Sequence, residues 1–232
     1  YLFMRVLFKL IIFSVFYFFT TIVSANNEKK ITVADLIQSS EFTLKRLHKN
    51  TDIKSFESYL KKCRAILIFP EVYEGSFLFG AKGGNGLLLI KKGDSFTGPF
   101  FYSIGGLSFG FQVGAKSGKV VMTIMTHRGL KSILKERVKL GVDVDAVIVS
   151  GGMGYSAEST VRLADIYSFS DNEGLFLGTS IEGSYLQPRN DLNRVIHGSS
   201  LNPDDIIRNT ENIKEANNLI KIINRITKDK NN

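Results

Sequence analysis

Cysteine is nearly missing from this chain. Cys63 stands alone in 232 residues, which excludes an internal disulfide and any cysteine-based zinc cluster. Histidine is almost as sparse: His48, His127 and His197 lie far apart, without an i,i+4 partner or a carboxylate at ligand spacing, so no metal is expected. Phosphate-cradling loops are absent too. Neither Gly83–Gly84–Asn85–Gly86 nor Gly151–Gly152–Met153–Gly154 spells GxGxxG opening a helix. Gly114–Ala115–Lys116–Ser117–Gly118–Lys119 has the wrong spacing for a phosphate loop, and Val120 stands where Ser or Thr is required. No cofactor is expected. The basic residues near the N-terminus are not interleaved with aromatics as a base-stacking platform requires, which sets nucleic acid aside.

Glycine is missing from both flanks, and all 21 glycines fall between Gly75 and Gly198. Glycine-free flanks with periodic apolar residues predict helices, and the glycine-rich middle predicts short strands and turns. Residues 1–25 read as a signal peptide. Met4 is its start, Arg5 and Lys9 its basic region, Leu10 to Phe19 its apolar core, and Val23–Ser24–Ala25 its cleavage site. A retained anchor is the alternative, because Leu10–Val23 has no charge, although that run is short of the ~20 residues a spanning helix needs. No cysteine marks the junction, so a lipoprotein anchor is not expected. The expected location is therefore outside the cytoplasm, in the periplasm or cell envelope, peripheral to the membrane.

Charge is unevenly spread. Residues 26–64 hold nine basic and five acidic side chains, most of the positive excess that remains once residues 1–25 are removed. A solvated helical surface explains such an excess, and so does a basic face for an anionic lipid surface. In the first helix, Thr32 and Asp35 are placed to cap, and Val33, Ile37, Ser40, Leu44 and Leu47 share one face with Leu36 beside it. Phe42 falls off that stripe, and Lys45, Arg46, His48 and Lys49 crowd the last turn. A second helix, about Ile53 to Arg64, turns Phe56, Tyr59 and Leu60 inward and Lys54, Lys61 and Lys62 outward.

Strands follow. Ala65–Phe69 is an apolar run stopped by Pro70. Phe77–Gly80 and Leu87–Lys91 flank a turn at Lys82–Gly86. Phe96–Ser103 contains Gly98–Pro99 and so belongs at an edge or a bulge. Phe109, Phe111, Val113 and Ala115 alternate as one strand, and Lys119–Thr126 is another. His127–Val138 reads as a helix, and Asp145–Ser150, Arg162–Phe169, Leu175–Ser180 and Ser184–Gln187 as further strands. Asn202 caps a C-terminal helix that has Pro203 at its first position. Ile213, Ala216, Ile220, Ile223 and Ile226 make a final amphipathic stripe. The expected fold is α+β. It is a mainly antiparallel, strongly coiled sheet, small barrel or sandwich of glycine-rich strands. Two N-terminal helices, one mid-chain helix and C-terminal helices pack on it.

Gly106–Leu107–Ser108–Phe109–Gly110 matches the GxSxG nucleophile pattern, with acidic residues and His197 following in order. That chemistry needs a strand, a sharp turn and a helix, whereas the residues after Ser108 alternate like a strand. No catalytic residue is assigned, and a Ser108 hydrolase ranks third among the readings. Asp143 and Asp145 are read as solvated loop residues. Glu182, Arg189 and Arg194 make either a structural salt-bridge network or a head-group cluster.

The segment Gly174–Gly198, GLFLGTSIEGSYLQPRNDLNRVIHG, reads as a hairpin broken by Gly178 and Gly183 and closed by Pro188 and a polar run. With AILIFPEVYEGSFLFGAKGGNGLLL (Ala65–Leu89), SFGFQVGAKS (Ser108–Ser117) and KLGVDVDAVIVSGGMG (Lys139–Gly154), it resembles the SYLF family over about Thr32 to Asn209. The resemblance implies a non-enzymatic lipid-binding domain over 26–209, followed by a C-terminal amphipathic helix over 210–232. It also implies that binding runs through basic N-terminal helical sequence, here Phe42, Lys45, Arg46, Lys49, Lys61 and Lys62. Tyr155 departs from the basic residue that eukaryotic relatives often carry there, and export would remove phosphoinositides from reach. Anionic phospholipid of the envelope is therefore the expected partner. An envelope scaffold that binds another protein is the alternative. Actin binding in some members attaches to flanking sequence not matched here and is not carried over.

Overall fold

The computed structural model describes residues 28–49, 55–76, 79–109, 114–149, 164–170, 183–199, 202–208 and 213–228. Residues 1–25, Tyr155, Glu182 and the segment Leu175–Ser180 lie outside these. Four long strands form the body of the sheet: β1 Ala65–Ser76, β2 Phe79–Lys92, β3 Ser95–Phe109 and β4 Gly114–Ile124. Four short ones extend it: β5 Val138–Lys139, β6 Ala146–Val149, β7 Ile166–Ser170 and β8 Tyr185–Pro188. The order is β5-β8-β3-β2-β1-β4-β7-β6, and among the described strands only the β6–β7 pair is parallel. The sheet curls strongly into a half-barrel, as expected for an α+β fold on a coiled antiparallel sheet. The helices are α1 (28–49), α2 Ser55–Lys62, α3 His127–Ile133, α4 Asn190–His197, α5 Pro203–Arg208 and α6 Asn217–Lys228.

Alternate residues of each strand enter two different cores. Ile66 and Ile68 of β1 join Leu87, Leu89, Phe101 and Val121 beneath Leu44 of α1, Phe56 and Leu60 of α2, and Ile223 of α6. Leu67 and Phe69 face the other way, against Leu88, Phe100, Tyr102 and Met122, with Ile133 of α3 and Ile206 of α5 closing over them. A sheet covered on both faces has continuous apolar strands, which is why Ala65–Phe69 shows no alternation. Each large aliphatic side chain buried this way contributes about 1.5–3 kcal/mol.

The α1 stripe is as expected: Val33, Ile37, Ser40, Leu44 and Leu47 are all buried. The helix already covers residue 28, however, so Thr32 is not its cap; the Thr32 hydroxyl donates to the Glu28 carbonyl, 3.0 Å away, one turn back. Ser40 is accommodated in the apolar stripe in the same way, its hydroxyl donating to the Leu36 carbonyl at 2.7 Å. Asn202 does cap α5: its Oδ1 accepts from the Asp205 N–H at 2.9 Å, and Asp205 Oδ2 accepts from the Asn202 N–H at 3.3 Å.

Four expectations change. Pro70 does not stop the first strand; β1 runs through it to Ser76, and the register slips between Phe69 and Val72. Lys82–Gly86 is the middle of β2 and not a turn, and the chain reverses instead at Gly93–Asp94. Gly84 and Gly86 are needed for close approach, since a Cβ on Gly84 would stand 2.4 Å from the Glu71 carbonyl and one on Gly86 2.3 Å from the Ile68 carbonyl and 2.5 Å from the Phe69 ring. Phe109 and Ala115 belong to different strands, β3 and β4. The helix from His127 ends at Ile133, because Val138 pairs with Leu186 as part of β5. The Gly98–Pro99 step lies opposite a register shift between Leu88 and Ile90, which is the bulge expected of it.

Candidate functional site

On α1, Phe42, Lys45, Arg46 and Lys49 stand at i, i+3, i+4 and i+7, so they form one stripe, on the side turned away from the core. Phe42 is 61% exposed and Ile31, further along the same stripe, 63%. Such exposure of two large apolar side chains is unfavourable in water, and three cations follow the aromatic one along the stripe. His48 Nδ1 lies 3.1 Å from Glu57 Oε1, tying the last turn of α1 to the first turn of α2. Lys61 and Lys62 follow within the last turn of α2, about 6–8 Å along the axis from Glu57 at ~1.5 Å per residue. Lys62 is exposed and Lys61 half-buried, and the Lys61 carbonyl accepts from Lys91 Nζ at 2.5 Å.

Beside this stripe a groove of about 940 Å³ runs between α1 and the sheet. Phe42 and Leu36 line it from the helix; Tyr73, Gly83, Asn85 and Ser103 line it from the strands. Tyr73 is 59% exposed because its cross-strand neighbours are Gly83 and Ser117, which offer little to cover a ring. A hydrogen bond to Glu71 raises the pKa of the Tyr73 hydroxyl. Tyr73 and Glu71 escaped the sequence reading. The available signal was an aromatic in a strand segment, Glu71–Val72–Tyr73–Glu74, where the apolar run had ended.

Arg189 and Arg194 are not equivalent. Arg189 makes two bonds of 2.9 Å to the Asp191 carboxylate and one of 2.5 Å to Asn85 Oδ1. Those bonds hold the Asp191 carboxyl at about 2, below the ordinary carboxylate value. Two positions on, Asn193 is buried and receives the Phe101 N–H at 2.7 Å while donating to the Phe101 carbonyl at 3.2 Å. It does for β3 what a neighbouring strand would do. His197 takes part in the same bracket, with Nε2 2.9 Å from the Pro99 carbonyl and its ring stacked on Phe100. Arg194 is exposed on α4.

Lys82 is nearly buried on the opposite face of β2, where Gly106 leaves room for its chain. Burial lowers the pKa of its amine, and Glu74 across the strand pair acts in the opposite direction. Asp165 anchors the α3 N-cap: it accepts from Thr126 and from Arg128, the latter at 2.6 Å. Burial alone would raise its pKa, but the Arg128 and Thr126 hydrogen bonds outweigh that and lower it. Ser108 lies within β3, paired with Gly80, and the next described element is the strand β4 from Gly114, not the helix that a nucleophile elbow requires. Asp143 Oδ2 accepts from the Lys139 N–H at 2.7 Å, which is a loop role. Among the described residues no group of three or more His, Cys, Asp or Glu side chains could hold a metal ion.

The family model described as Ysc84, Las17-binding protein actin regulator, matches residues 105–226. The chain is 28% identical over 173 residues to the SH3 domain-containing YSC84-like protein 1 of Rattus norvegicus, covering 72% of this chain and 50% of that protein. With the LAS seventeen-binding protein 3 of Saccharomyces cerevisiae it shares 27% identity over 148 residues, 61% of this chain and 32% of the relative. The Xenopus laevis YSC84-like protein 1 is 30% identical over 139 residues, 58% of this chain and 40% of its own length. The chain thus spans about half the length, or less, of the curated relatives it matches.

Proposed function

The chain belongs to the Ysc84 family, known also as SYLF, and from that premise we propose that it is a non-catalytic docking module for an anionic phospholipid surface. The observation that carries this reading is Phe42, 61% exposed on the same stripe as Lys45, Arg46 and Lys49. An aromatic ring among cations suits shallow insertion below a layer of phosphates. Each cation held near an anionic surface contributes about 1 kcal/mol. None of the helices among the described residues is long and apolar enough to cross a membrane. The site proposed is Phe42, Lys45, Arg46 and Lys49, with Lys61 and Lys62 extending it, on the envelope side of an exported protein.

Flotation with phosphatidylglycerol and phosphatidylcholine vesicles tests it. The wild-type chain should float with the first and not the second, and should be released as salt shortens the Debye length. Replacing Lys45, Arg46, Lys49, Lys61 and Lys62 with Gln should lower affinity by orders of magnitude with an unchanged circular dichroism spectrum. Equal flotation of that variant at low salt sinks the reading.

A second reading rests on the groove that Phe42 and Tyr73 share. The relatives are described as SH3 domain-containing and Las17-binding, and the family as an actin regulator, which makes a protein partner, actin included, the runner-up. Co-sedimentation with filamentous actin separates the two. A Tyr73→Ala variant that loses actin while keeping vesicles would favour the groove.

A further inference from the structure

We propose that Arg137, Lys139 and the ring of Tyr185 form a binding site for a phosphomonoester dianion at the β5 edge of the sheet. The site is remote in sequence from the α1 stripe and does not depend on it. Lys139 is the direct cross-strand neighbour of Tyr185, and Val138 beside it is paired with Leu186 and fully buried. With Val138 pointing inward, Arg137 and Lys139 both project to the opposite side. They converge on one ring: the Arg137 guanidinium carbon lies 3.9 Å from the Tyr185 centroid and Lys139 Nζ 5.5 Å from it. β5 is the terminal strand of the sheet order, so among the described residues no strand lies beyond this edge.

Two like charges gathered over one aromatic ring repel each other, and a cation–π contact offsets only about 0.5–1 kcal/mol at such a position. Neither side chain is in a salt bridge among the described residues. Asp143, four residues after Lys139, is bonded to the backbone N–H of Lys139. Glu136, beside Arg137 in the chain, is exposed and makes no ion pair with either cation among the described residues. Lys135, two residues before Arg137 in the chain, is also exposed.

The chemistry selects the ligand class. The planar Arg137 fork meets two oxygens of a tetrahedral anion, and the Lys139 ammonium meets a third. A phosphomonoester carries about −1.5 to −2 at pH 7, matching two cations, whereas a phosphodiester or a carboxylate brings one charge. Tyr185 holds the cations apart from the sheet and in register, so the site exists before the anion arrives.

The test uses the full chain with inorganic phosphate, followed by nuclear magnetic resonance of the Tyr185 ring and Arg137 Nε. Saturable shifts are expected that sodium chloride at equal ionic strength does not reproduce. R137Q/K139Q should weaken phosphate at least about tenfold, the value of one good charge-assisted contact. K45Q/R46Q/K49Q should leave phosphate binding unchanged, so failure of the α1 reading and failure of this site are distinguishable. Y185F, which keeps the ring, should bind like wild type, and Y185L should weaken binding; matched melting curves exclude unfolding. Vesicles of phosphatidic acid and of phosphatidylglycerol, at equal surface charge, identify the source. Preference for phosphatidic acid that R137Q/K139Q abolishes indicates a lipid-borne ligand; phosphate binding without that preference indicates a soluble one. Shifts that chloride reproduces, or phosphate affinity unchanged in R137Q/K139Q, overturn the proposal.

Discussion

The two ends of the long strands are built on opposite terms. At one end Ala65–Phe69, Leu87–Ile90, Phe100–Tyr102 and Val120–Ile124 are buried from both sides, none of them more than 3% exposed where apolar. At the other end the same strands carry glycines, and Tyr73 and Leu107 stand 59% and 77% exposed. Glycine itself means two things along this gradient. Near the core it permits contact: Gly86 sits where a Cβ would strike Ile68 and Phe69 at 2.3–2.9 Å. Toward the outer end it withholds cover, because a Cβ on Gly75 would meet nothing within 4 Å. Stability is concentrated at the apolar end, while the groove and its aromatic wall lie where the sheet becomes bare.

Breaking the packed end should have the largest effect. Gly86→Ala is expected to cost about 3 kcal/mol, at the upper end for overpacking, because two of the struck atoms belong to backbone and to a fully buried ring. Gly75→Ala, on the same sheet, should stay within about 0.5 kcal/mol of wild type. Urea unfolding of the pair measures the contrast directly, and equal costs would erase the distinction between the two glycine classes.

The bracket from α4 comes next. Asn193→Ala removes both bonds to Phe101 and leaves its buried N–H without a partner, while its carbonyl keeps the Arg189 N–H at 2.8 Å, for about 1–2 kcal/mol. Hydrogen exchange at Phe101 should accelerate before the rest of β3. Asp191 supplies a smaller, pH-dependent part. Its carboxyl sits at about 2 in the fold against an ordinary value of 3.8, so the stability it adds is complete above about pH 4 and is lost as pH falls toward 2. Solvent screening at this partly exposed pair reduces the contribution to about 1 kcal/mol. Asp191→Asn should therefore lower stability by about that amount at pH 7 and flatten the acid limb of a denaturation series.

Much of this architecture was legible beforehand, and the misses share a cause. The α1 stripe and the Asn202 cap are local patterns, readable from spacing within one or two turns. The strand–turn reading of Lys82–Gly86 failed because local chemistry favours a turn there. The deciding contact, Phe69 against Gly86, comes from another strand and has no local signature. β5 was absorbed into the preceding helix because Val138 continues the helical period of Leu130 and Leu134 until it pairs with Leu186. The Asn193 clamp on Phe101 spans 92 residues, and nothing near either position announces it. The α1 side of the candidate site was readable for the same reason the helix was. Tyr73 was not, since its exposure depends on which residues lie across from it in β2 and β4.

Phe42 gives the finest test of the division between packed and bare regions. At 61% exposure its truncation removes little buried area, so Phe42→Ala should change unfolding free energy by no more than about 0.5 kcal/mol. Helix propensity even favours alanine slightly at that position. If the ring inserts among lipids, the same substitution should weaken vesicle binding while the salt dependence, which belongs to Lys45, Arg46 and Lys49, stays as steep as before. If the ring instead serves the groove, vesicle binding should be unchanged and capture of a protein partner should fall. A third outcome, a loss of stability near that of Gly86→Ala, would mean that Phe42 is packed against Tyr73 and that the outer end of the sheet is less bare than its exposures indicate. Measured together, melting and flotation assign the residue to one of the three.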